Sequence, residues 1–224
     1  MDTSDLPPSS EFLELVATAL EYPDNRSASR VVSGVEPLSA SSPGMSQAFE
    51  RLAAWLDSAA PGEAEERYTS LFDLSPVCTL HAGYHVFGET YQRGALLAGL
   101  VQELRKAGVS ERGELPDFLP TLLRLLPRQS RENRATLVDY VLLPALARMR
   151  TALEGSTSPW ADILRELPKT LAPLGTGEDV AARILACPPD GLREYTEAAD
   201  LPERGDRHAP VFVPPAAARD AADR

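Results

Sequence analysis

Residues 68–94 read YTSLFDLSPVCTLHAGYHVFGETYQRG. Tyr68, Leu71 and Phe72 fall at helical spacing and predict that a helix from about Glu63 to Asp73 runs into this stretch. Pro76 suits a first helical turn, where its missing N–H leaves no bond unmade. It predicts a second helix from there to Gly88. Beyond Thr90, a stripe of Leu96, Leu97, Leu100, Val101 and Leu104 predicts a third helix. Gly108 should end it, because glycine accepts the left-handed conformation of a C-terminal cap.

The same periodicity extends outward. Upstream, Ser9 and Ser10 can cap a helix carrying Phe12, Val16 and Leu20 that stops near Tyr22-Pro23. Residues 23–43 are rich in Ser, Pro and Gly and read as a loop. Phe49, Leu52, Ala53 and Leu56 then mark a buried helical stripe, broken at Pro61-Gly62. Downstream, Pro116 should open a short helix with Leu119, Leu122, Leu123 and Leu126 inward. Residues 130–153 read as the longest helical stretch, which Pro144 should kink or split. Weaker helical patterns follow at 159–172 and 177–186.

Alternating strands with hairpin turns and internal repeats are not seen. The expected fold is all-α: one helical-bundle domain over residues 1–186, then an irregular, Pro-rich C-terminal arm over 187–224. Six of the 20 prolines lie in that arm. The arm is expected to be extended or partly disordered, and its apolar triplet Val211-Phe212-Val213 either docks back over the helical domain or belongs to a free tail.

Charge and composition narrow the function. The net charge is −11, and residues 1–90 alone carry 14 acids against 4 bases. Such a surface repels phosphate backbones and attracts basic peptides, so no nucleic-acid partner is expected. No apolar run approaches the roughly 18 residues of a membrane span, and MDTSDLPPSS lacks the regions of a secretory signal. The expectation is a cytoplasmic protein without membrane insertion. Two cysteines, Cys78 and Cys187, make no disulfide framework.

The stretch at 68–94 resembles the NarJ branch of the TorD/DmsD family of redox-enzyme maturation chaperones. The resemblance is carried by Tyr68, Phe72-Asp73, Cys78, Leu80, Gly88, Thr90 and Arg93-Gly94. A second signature, Glu114-Leu115-Pro116-Asp117 followed by Phe118-Leu119-Pro120, is similar to the family's ELPDHLP element. Three positions depart from the pattern: Glu89 stands for Asp, Tyr91 for Arg and Phe118 for His. The last change suggests a more apolar cleft.

The resemblance implies a TorD/NarJ-type bundle that works by binding. Its partner would be the apo catalytic subunit of a molybdopterin oxidoreductase, held by its N-terminal or twin-arginine segment until the molybdenum cofactor is inserted. No cofactor of its own is implied, and the state is a monomer with an element-swapped dimer left open. Candidate peptide-binding residues are Phe72, Asp73, Tyr84, His85, Phe87, Glu89, Tyr91, Arg93, Asp117 and Phe118. The carboxylates among them would meet the segment's Arg or Lys, and the aromatics its apolar part. For each aromatic the alternative is plain core packing.

A rival constellation shares the segment. Cys78, His81, His85 and Glu89 are spaced three, four and four, so a continuous helix would set them along one face as zinc-ligand types. That would make a metal-stabilised fold or a metal-dependent hydrolase. Motifs for other catalysis (GxSxG, a Walker loop, HExxH, a dinucleotide fingerprint) are not present, and no enzyme activity is expected.

Overall fold

The first helix, α1 (Ser10–Ala19), starts where Ser9 accepts the Phe12 N–H at 3.1 Å. That bond satisfies one of the four donors a helix start leaves without partners. The structure, a computed structural model, describes residues 8–24, 29–31, 43–74 and 78–177. The expected helix at 177–186, the arm at 187–224 and the Val211-Phe212-Val213 docking therefore lie outside the described residues.

Further α-helices among the described residues are α2 (Pro43–Ser58), α3 (Glu63–Phe72), α4 (Ala82–Phe87), α5 (Tyr91–Ala107), α6 (Leu119–Leu125), α7 (Arg131–Leu137), α8 (Leu143–Ala152) and α9 (Pro159–Leu171). The chain is all-α, as its periodicity predicts. Thr90 precedes α5, and Gly108, at φ 64°, ends it in the expected left-handed cap. At Pro144 the missing N–H is absorbed by a π-helical stretch, Val138–Leu142, that joins α7 to α8. Within it, buried Asp139 accepts the backbone N–H and the hydroxyl of Thr176 at 2.8 and 2.7 Å, tying down the segment after α9.

Helix α9 packs on α2 and α8, α1 on α6, and α4 on α8 and α5. A relay of edge-to-face aromatic pairs runs through this core: Trp55 to Trp160, Trp160 to Tyr68, and Tyr68 to both Phe72 and Tyr22. Their polar ends finish α1. Trp160 Nε1 donates to the Ala19 carbonyl at 2.8 Å and the Tyr68 hydroxyl to the Leu20 carbonyl at 2.9 Å. Two carbonyls orphaned at the helix end are thereby paired inside the core.

The helix expected from Pro76 to Gly88 is shorter than its pattern suggests. Of the described residues 78–88, only Ala82–Phe87 is helical. The reason is a non-local pairing. His81 and Phe118 form an antiparallel bridge, in which Ala82 N–H donates to the Asp117 carbonyl and Leu119 N–H to the Leu80 carbonyl, both at 2.8 Å. The same pairing delays α6, which begins at Leu119 rather than near Pro116. Six residues are too few for a self-supporting helix. Helix α4 is held by burial of Ala82, Gly83, His85 and Val86, and by Arg148, which donates to the carbonyls of His85 and Val86 at its C-terminal end.

Candidate functional site

The two signature stretches meet at this crossing. Asp117 is fully buried beneath it. Arg93, from the first turn of α5, donates through Nε to its Oδ2 at 2.9 Å and through Nη2 to its Oδ1 at 3.4 Å, and His81 Nδ1 lies 3.2 Å from the same Oδ1. Burial alone would push the Asp117 carboxyl up. The hydrogen bonds from His81 and Arg93, with the charge of Arg93, hold it below the usual carboxylate range. An ionised carboxylate only accepts, so His81 presents Nδ1–H to it. Space for the carboxylate comes from Gly83, where a Cβ would stand 2.7 Å from Asp117 Oδ2 and 2.9 Å from a Leu96 methyl.

Above the crossing opens a cavity of about 320 Å³. The aromatic relay reaches it as Tyr22, Tyr68 and Phe72, and Phe118 joins from the bridge. Glu21, Asp73, Glu111 and Glu114 supply four carboxylates. The His81 ring lies 5.5 Å from the Phe118 ring, and its Nε2 sits 3.9 Å from Glu114. Thus the same imidazole touches the buried ion pair on one side and the cavity rim on the other.

A buried guanidinium outside the lining holds Glu21 in place. Arg124 of α6 donates to Glu14 at 2.9 Å and to both oxygens of Glu21 at 2.7 and 3.1 Å. Burial by itself would lower the Arg124 pKa, but the two carboxylates raise it and keep the charge in place. This network anchors α1 to α6 and fixes the Glu21 carboxylate at the cavity edge.

Of the ten candidate peptide-binding residues, the structure places Phe72, Asp73 and Phe118 at the cavity. Asp117 and Arg93 lie behind its wall as a mutually satisfied pair, and the Arg93 guanidinium stacks 5.7 Å over the Tyr84 ring. His85 is buried, and its Nε2 donates to the Thr79 carbonyl at 2.7 Å. Phe87 is half-buried, Glu89 is exposed, and Tyr91 is 90% exposed; none of the three lines this cavity. Sequence reasoning missed Glu21, Tyr22, Glu111 and Arg112 as cavity residues. Glu114 carried a signal as part of the second signature, and Tyr68 and Leu80 as part of the first.

The rival constellation does not assemble. Cys78 and His81 precede the helix, while each imidazole is engaged elsewhere, His81 with Asp117 and His85 with Thr79. Among the described residues no three His, Cys, Asp or Glu side chains are grouped to hold a metal ion. The Cys78 thiol is buried and pushed up to about 12, which makes it a packed thiol and not a nucleophile. No helix among the described residues is long and apolar enough to cross a membrane.

Fold and site together define a helical protein whose two sequence signatures cross under an acidic, aromatic cleft. The chain belongs to the nitrate reductase delta subunit family, whose model matches residues 39–166 and so takes in both signatures. The resemblance to the NarJ branch holds. Over 175 residues the chain is 30% identical to the nitrate reductase-like protein NarX of Mycobacterium tuberculosis, covering 75% of this chain and 26% of that protein. It is also 31% identical over 114 residues to the nitrate reductase molybdenum cofactor assembly chaperone NarJ of Escherichia coli K12, covering 49% of this chain and 48% of that protein. The matched regions thus span about a quarter and about half of these two relatives.

Proposed function

We propose that this protein is a cytoplasmic assembly chaperone for a molybdenum-cofactor oxidoreductase of the nitrate reductase type. It holds the N-terminal segment of the immature catalytic subunit in the cleft and carries out no chemistry of its own. The observation that supports this most directly is the pairing of four carboxylates with four aromatic rings around one cavity, built where the two family signatures cross. The carboxylates suit the basic end of such a segment, and the rings give its apolar part a large contact area at little entropic cost. The Escherichia coli relative, by its name a molybdenum cofactor assembly chaperone, agrees with this reading.

Calorimetry with synthetic N-terminal peptides of molybdenum-enzyme catalytic subunits from the same cell tests it. Binding should be micromolar or tighter, about −8 kcal/mol. If no such peptide binds and a deletion strain matures its molybdoenzymes normally, the proposal is wrong.

A further inference from the structure

Arg112 is the one Arg or Lys among the described residues that line the cavity. Its Nη1 lies 3.1 and 3.3 Å from the two carboxylate oxygens of Glu21, reaching across from the loop that precedes the second signature. Glu21 does not need it. The same carboxylate is already held by both terminal nitrogens of Arg124, whose side chain is 8% exposed, whereas that of Arg112 is 51% exposed. Arg112 is therefore an outer, second cation on a carboxylate that has a permanent inner partner.

The backbone supports a dedicated placement. Arg112 has φ 55° and is the one non-glycine residue with positive φ among the described residues. An L side chain rarely adopts that conformation. Here it is held by a bond from Arg112 N–H to Ser110 Oγ at 3.3 Å and by a turn in which Glu114 N–H donates to the Glu111 carbonyl at 3.0 Å. Glycine stands next door at 113, yet the strained position carries the arginine that spans the cavity edge.

We propose that Arg112 is a resident counter-ion of the cleft, seated where a guanidinium or ammonium group of an incoming basic segment goes. It holds the seat that a segment's own positive charge takes, and competes with that charge for it. The proposal rests on the reading of the cavity as a cleft for a basic segment. A half-exposed pair is weak and exchangeable. A segment that brings its own cation replaces Arg112 without stranding Glu21. A neutral segment brings no charge to set in that seat, so Arg112 stays on Glu21 while such a segment binds.

The test uses the full chain and a synthetic peptide carrying two arginines ahead of an apolar, aromatic stretch, with a twin that has citrulline at both arginines. Glycine is at home at φ 55°, so Arg112→Gly should melt like the wild type. It should bind the arginine peptide roughly threefold to fivefold more tightly, the worth of one partly exposed charge pair, while the citrulline twin changes less than about twofold. Arg112→Gln should follow Arg112→Gly, and Arg112→Lys should follow the wild type. Equal changes for both peptides, weaker binding of the arginine peptide, or a lysine variant that behaves like glycine would overturn the proposal. Failure of both peptides to bind any of the proteins, wild type included, is a different result: it overturns the cleft reading, and this proposal with it.

Discussion

Nε of Arg93 lies 2.9 Å from Oδ2 of Asp117, and the carboxylate it meets is wholly buried while the guanidinium keeps 13% of its side-chain surface. This pair sits behind the cleft wall. Each signature contributes one member, so the pair also sets how the stretches at 78–94 and 114–120 face each other.

Breaking that pair should cost stability more than it costs any direct contact with a bound segment. Asp117→Ala leaves Arg93 and His81 without their shared acceptor, and loss of one partner of a buried pair costs about 3–5 kcal/mol. Asp117→Asn keeps one acceptor oxygen and should cost less than half as much. Urea unfolding measures both. A variant that melts like the wild type yet loses peptide affinity would put Asp117 in the cleft instead of behind it.

Gly83 should tolerate no side chain. The Cβ of Gly83→Ala would press on Asp117 and on Leu96, both from separate elements, and overpacking of this kind costs about 1–3 kcal/mol. The ordinary helix propensity of alanine works in the opposite direction by about 1 kcal/mol. Net destabilisation in the same urea assay would show that the steric term wins, and a stabilised variant would show that α4 shifts to make room.

The helices were legible because their signal is local. A 3.6-residue stripe is written within each segment, and Ser9, Gly108 and Pro144 act on their own neighbours. The crossing was not legible. Residues 78–81 have the composition of a helix start, and nothing within them announces that Leu80 and Ala82 will bond to Leu119 and Asp117, more than thirty positions away. The candidate site shares this limit. Family resemblance drew attention to Asp117 and Arg93 as charged residues, but their mutual neutralisation depends on burial, which a charged residue's sequence context does not disclose. Arg112 and Glu21, 91 positions apart, were invisible for the same reason.

Acid should loosen the fold in two stages. Burial holds the His85 pKa below its ordinary 6.5, against the opposing effect of its bond to the Thr79 carbonyl; the nearby charge of Arg148 lowers it further, and Asp117 raises it. The folded form thus binds fewer protons than the unfolded form just below pH 6.5. Stability contributed by neutral His85 is complete above that pH and is lost as pH falls through the folded value. Asp117, held below its ordinary 3.8, adds a second loss that begins near that pH and continues below it. His85→Gln, whose amide can still donate to Thr79, should remove the upper stage and leave the lower one. Melting temperatures recorded from about pH 7.5 to about pH 2.5 test this; an upper stage that persists in the glutamine variant would assign it to another group.

Asp73 offers the cleanest separation of binding from folding. It is exposed at the C-terminal end of α3, lines the cavity and sits beside Phe72, which is buried. The end of a helix is an unfavourable place for a carboxylate, since the helix dipole is negative there. Asp73→Asn should therefore leave the melting temperature unchanged or slightly raised. The same change removes one of the four carboxylates that face a basic segment. Affinity for an arginine-bearing peptide should fall by about 0.5–1 kcal/mol, the scale of an exposed charge pair, and the deficit should shrink as salt is raised. Calorimetry at two ionic strengths, paired with a melting curve, reads all three expectations. A salt-independent loss of affinity would assign Asp73 a hydrogen-bonding role, and an unchanged affinity would place the basic end of the segment against the other lining carboxylates, Glu111 and Glu114.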